Sequence, residues 1–183
     1  VNCPGNPGAW KRHAVYHKGV KEYRKTIEDG GVVQQRARKT AKEQVRNAAQ
    51  TGDKYDELLA DGLGYESKQD WRRAGRAYRE AIPLRPDEPP AYLNLGGVLC
   101  NSGHYVEAAQ RFLQAQERWP VGSELWARAT AAVFDMLQLD ACAEVVKPEW
   151  WNDEALKALS ARVVRAAPND LQANQMRAKV LSG

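Results

Sequence analysis

The sequence predicts an all-α protein: a helix-turn-helix repeat solenoid preceded by a basic N-terminal helical arm. Three observations carry that expectation. Residues 55–120 overlay themselves after a shift of 34 positions, with seven successive matched positions keeping their size class. Apolar residues recur at helical spacing. Positive charge is gathered in residues 1–54, which hold 12 Lys/Arg against 5 Asp/Glu, whereas residues 55–183 hold 15 against 18.

Residues 1–8 contain two prolines and two glycines and form an irregular leader. The basic arm follows over residues 9–54. Its first helix sets Trp10, Tyr16, Val20, Tyr23 and Ile27 at helical spacing, with Lys11, Arg12, Lys18, Lys21 and Lys25 on the other face. Gly30 and Gly31 break it. A second helix over 32–50 carries a thin stripe of Val33, Ala37, Ala41, Val45 and Ala48 among basic residues, which supports only light packing. Asp53 then offers an N-cap to the next helix. His13 and His17 stand four apart, but only Cys3 in the leader accompanies them, so no metal is expected.

The overlay comes next. Gly62 matches Gly96, Tyr65 matches Leu99, Trp71 matches Tyr105, Ala74 matches Ala108, Tyr78 matches Phe112, Ala81 matches Ala115 and Pro86 matches Pro120. Each unit, 55–88 and 89–122, makes two antiparallel helices that bury one face. In the first, helices over 55–66 and 71–84 cross where Gly62 and Ala74 let the axes approach to roughly 8–10 Å. Pro86 stops the second helix. Pro90 opens the next, where its missing N–H costs nothing. Asn101, Ser102 and Gly103 turn the chain.

The period of 34 with this order of small, aromatic and proline residues resembles the tetratricopeptide repeat family. In that family the first helix of each repeat lines a concave groove that binds other proteins. Carried over by repeat position, the groove residues are Leu59 and Leu63, then Leu93 and Gly97, then Ala127, Ala131 and Phe134. One branch of the family grips a C-terminal carboxylate with Lys, Asn and Arg side chains. Only Asn94 and Arg128 match that set, while Leu59, Leu63 and Glu124 replace the others, so the resemblance does not extend to the clamp. An apolar helix or extended segment suits the groove, and the protein's own arm is one such segment.

A third unit spans 123–168. Ser123 caps a helix over 124–137, in which Trp126, Ala129 and Val133 match Tyr92, Leu95 and Leu99. Cys142 and Val146 map onto Ala108 and Phe112 in a second helix that Pro148 ends early. An insertion over 147–151 carries Trp150 and Trp151, read either as a contact site or as rings that seal the end of the stack. A new helix runs from Asn152 to Ala167, and Pro168 falls well past Glu154, where the period would place the next proline. Residues 169–183 hold one further helix, a cap or the first part of another repeat.

Three separated cysteines, Cys3, Cys100 and Cys142, indicate neither a disulfide framework nor a zinc site. No apolar run approaches the length of a membrane-spanning helix. The expectation is therefore a soluble protein of a reducing compartment, the cytoplasm or an organelle interior. The chain begins at Val1 rather than Met, which fits a mature form or a fragment. No catalytic constellation, cofactor loop or RNA-binding signature occurs, so no enzyme and no cofactor is expected.

The functional expectation is a non-enzymatic scaffold or accessory subunit of a larger protein assembly. It docks through the arm residues Trp10, Tyr16, Lys18, Lys21, Tyr23 and Lys25, through groove residues Leu59, Leu63, Leu93, Asn94, Arg128 and Phe134, and through Trp150 and Trp151. The partner surface is acidic or mixed with apolar ground, the periphery of a membrane complex included. The alternative is an RNA-binding adaptor, since aromatics interleave with lysines in the arm.

Overall fold

The computed structural model describes residues 52–182. The arm positions Trp10, Tyr16, Lys18, Lys21, Tyr23 and Lys25, and the pair His13 and His17, lie outside the described residues.

Among the described residues there are seven α-helices and no strand: α1 (Lys54–Glu66), α2 (Trp71–Ala81), α3 (Pro90–Asn101), α4 (Tyr105–Arg118), α5 (Glu124–Leu137), α6 (Asp153–Ala166) and α7 (Leu171–Ser182). Each of α1 to α4 packs on the helix that follows it, and α5, α6 and α7 pack on one another. Short polar side chains set most of the starts. Asp53 accepts from the Tyr55 N–H, Asp70 from Arg73, Ser123 from Trp126 and Asn152 from Ala155, each satisfying a donor with no intrahelical partner. Pro90 stands in the first turn of α3. Gly103, with φ of +82°, supplies the left-handed residue of the turn between α3 and α4.

Two glycines decide how closely the helices approach. A Cβ built on Gly62 would overlap Cε1 of Tyr78, and one on Gly96 would sit 2.6 Å from Cδ1 of Phe112. In each pair an aromatic ring of the second helix therefore lies against bare backbone of the first, and the contact recurs one period on. The Tyr78 ring is wholly buried, and its hydroxyl donates to Glu66 Oε1 at 2.5 Å. Around these crossings Ala74, Tyr78, Leu95, Leu99, Ala108 and Phe112 merge with Val133, Met136 and Leu137 of α5 into one core. The link between the pairs is tied as well: the Pro86 carbonyl accepts from Tyr92 Oη and from Arg118 Nε, both at 2.9 Å.

Beyond α5 the chain departs from the sequence expectation. No α-helix spans Cys142 and Val146. A 3-10 turn at Asp140–Cys142 is followed by irregular chain up to Asn152. Cys142 is buried in the core beside Ala108, but Val146 is 87% exposed, so it does not replace Phe112. Pro148 disfavours helical backbone at Lys147, which leaves too few residues after Gln138 to repay helix nucleation. The Lys147 ammonium fills the gap, donating to the carbonyls of Leu137 at 2.9 Å and Cys142 at 3.2 Å.

Ten of the 14 residues of α5 are buried, because it is covered on two sides. One side meets the core just described. The other meets Leu159 and Val163 of α6 and Ala173 and Met176 of α7. Within α5 the Thr130 hydroxyl is satisfied by the Trp126 carbonyl at 2.8 Å, so its burial leaves no unpaired donor.

Candidate interaction surface

Helical geometry puts residues i, i+3, i+7 and i+10 on one face. On α1 that face holds Asp56, Leu59, Leu63 and Glu66, and on α3 it holds Pro90, Leu93, Gly97 and Cys100. On α5 it holds Glu124, Ala127, Ala131 and Phe134. The three faces differ in cover. Leu59, Leu63, Leu93 and Gly97 are half-buried and keep surface open to solvent. Ala127 and Ala131 are fully buried and Phe134 is 5% exposed, because α6 and α7 lie over them. Phe134 is thus a core residue between α5, α7 and the Trp151 ring, whose centroid is 5.6 Å away.

The remaining positions fall as follows. Asn94 is half-buried on α3, and its side chain engages the Tyr78 hydroxyl. Arg128 is exposed on α5 and pairs with Asp170, just ahead of α7, at 3.7 Å. Trp150 and Trp151 are half-buried, 5.9 Å apart at their ring centroids, and both rings touch the core of α2 to α5 and the core under α6 and α7. Lys147 sits 5.3 Å from the Trp151 centroid. The structure brings Phe134 and the tryptophan pair together.

Two features escape the sequence reading. The first is the ion pair of Lys179 on α7 with Asp135 on α5, at 2.7 Å, which fastens α7 across α5. Burial raises the Asp135 carboxyl above its ordinary range, and Lys179 offsets only part of that rise. The second is a separation of charge between helices. The first helices of the pairs, α1, α3 and α5, carry two basic and six acidic residues, whereas α2 and α4 carry six basic and three acidic. A count made helix by helix finds it.

Glu66 closes the α1 strip. Burial raises its carboxyl, and the hydroxyl of Tyr78 works against that rise. A carboxyl with a raised folded value keeps its proton to higher pH than in the unfolded chain. It therefore removes stability as pH rises from about 4 through the folded value. Glu66→Gln keeps an oxygen for Tyr78 and abolishes this titration. Its melting temperature is expected to exceed that of the wild type by more at pH 7 than at pH 4, which calorimetry at the two values checks.

A shallow cleft of about 540 Å³ opens elsewhere, between α2 and the turn into α4, lined by Trp71, Arg72, Arg79, Leu99 and His104. Among the described residues no group of three His, Cys, Asp or Glu is placed to hold a metal ion, and no helix is long and apolar enough to cross a membrane. No protein-family model and no curated protein sequence matches the chain.

Proposed function

We propose that this chain is a scaffold or accessory subunit of a larger protein assembly. It is a tetratricopeptide-like repeat stack that holds other proteins and performs no chemistry. The observation that carries this reading is the recurrence of the glycine-on-aromatic crossing, Gly62 on Tyr78 and then, one period later, Gly96 on Phe112. Paired helices built this way cannot bury both faces of a unit, so they stack and leave one face for a ligand. The half-open apolar strip on α1 and α3 is such a face. The basic arm is the second attachment point: its Trp10, Tyr16 and Tyr23 stripe supplies apolar contact, and Lys18, Lys21 and Lys25 supply orientation and encounter rate.

The arm is tested by reversing Lys18, Lys21 and Lys25 to Glu in the full chain and measuring recovery of co-purifying proteins. Docking is expected to weaken more at low salt than at moderate salt, where screening already blunts these charges. Full recovery of partners would remove the arm from the proposal. If nucleic acid co-purifies instead and is shed steeply between low and moderate salt, the chain is an RNA adaptor.

A further inference from the structure

We propose that the open strip on α1 and α3 takes a basic amphipathic helix of a partner protein, continuing the layer that α6 and α7 begin over α5. This rests on the scaffold reading and names the partner's chemistry. The equivalent strip on α5 shows what such an occupant looks like. There Ala127, Ala131 and Phe134 are covered by a helix pair that contributes Leu159, Val163, Ala173 and Met176, residues of modest size that bury against a smooth face. The same cover brings a cation, Lys179, to a carboxylate at the strip's border, Asp135. Counted back by one and two periods, the same register on α3 and α1 is Leu93 with Gly97 and Leu59 with Leu63, and these keep exposed surface. The apolar ground is continuous in register with a contact the protein already makes with itself.

Charge selects the sign of the guest. The strip faces of α1 and α3 hold Asp56 and Glu66 and no basic residue, so neither helix has a cation on that face to welcome an acidic guest. Asp56 forms no salt bridge among the described residues; Arg85, which pairs directly with Asp53 and Glu88, feels its charge without bonding to it. An acidic guest would meet like charge. Gly97 adds room: a Cβ there meets nothing within 4 Å, so a guest backbone can come close.

The test uses the full chain and two fluorescein-labelled 18-mer probes. One is a Leu/Ala/Lys peptide with apolar residues at helical spacing, the other its Glu-for-Lys counterpart, and both are titrated by fluorescence anisotropy. The Lys peptide is expected to bind and the Glu peptide not. Leu63→Ser with Leu93→Ser should weaken the Lys peptide roughly tenfold or more, the scale of one lost leucine contact. Asp56→Arg, at a half-exposed position, should weaken the Lys peptide and admit the Glu peptide. Circular dichroism verifies that each variant is folded. If the double variant unfolds, Asp56→Arg decides alone. A Lys peptide indifferent to Asp56→Arg and to the folded double variant overturns the site. A Glu peptide that binds wild-type protein through Leu63 and Leu93 overturns the basic guest but leaves the scaffold reading standing. The scaffold reading itself is judged by co-purification.

Discussion

Replacing Gly96 with Leu should lower the unfolding free energy by about 2 kcal/mol, while Gly97→Ala, one residue away, should raise it by about 0.5–1 kcal/mol. The two glycines share a helix and differ only in what stands over them. Any side chain on Gly96 runs into the Phe112 ring, which is itself 6% exposed and held by its neighbours. Overpacking of that kind costs about 1–3 kcal/mol, and the gain in helix propensity over glycine returns only about 1. Leucine brings three carbons beyond the Cβ, so the clash wins. Nothing lies within 4 Å of a Cβ on Gly97, so there only the propensity gain remains. Denaturant melts of the two variants check both signs. Equal effects would mean that the crossing of α3 and α4 is not set by bare backbone.

Removal of both tryptophans, Trp150→Ala with Trp151→Ala, should destabilise the fold by about 3 kcal/mol, scaled down from the roughly 3–5 typical of one fully buried aromatic because each ring here is half-exposed. The rings join two cores. Trp151 lies on Phe134, and both tryptophans border the clusters on either side of α5. Without them α6 and α7 would be held on α5 by Leu159, Val163, Ala173 and Met176 and by the Lys179–Asp135 and Arg128–Asp170 pairs. The expected signature is earlier loss of α6 and α7 in hydrogen exchange, with α1 to α4 protected longer. A fully folded variant that loses its partners would instead make the pair a contact site.

The helical pairs are readable because their determinants are local. Asp53 and Ser123 mark helix starts by their own chemistry, and the period of 34 matches Gly62 to Gly96 and Tyr78 to Phe112. The sequence sets Gly62 opposite Ala74, whereas the nearest neighbour of the bare Gly62 backbone is the Tyr78 ring, a contact that spacing alone does not specify. The region after Gln138 is harder to read. There the backbone of Leu137 and Cys142 is satisfied by Lys147, from up to ten residues away in sequence, and such a bond has no periodic signature. The same limit applies to Phe134. Repeat position assigns it to an open groove, but the extra chain before Pro168 carries α6 and α7 onto α5, and tertiary cover overrides register. The Asp135–Lys179 pair spans 44 residues and follows from that cover. The acidic border of the α1 strip is present in the sequence as Asp56 and Glu66 at helical spacing with Leu59 and Leu63. A charge sum over the whole domain hides it.

The most direct measurement is the mass of the particle that holds this chain in its native cells. Tagged full-length protein, recovered gently and weighed by native mass spectrometry, should appear in a defined complex with other polypeptides at fixed ratio. The folded Leu63→Ser, Leu93→Ser variant should lose at least one of them. A chain recovered alone, or a complex whose composition is indifferent to both the strip and the Lys18, Lys21, Lys25 reversal, would contradict the assignment of this protein as a scaffold.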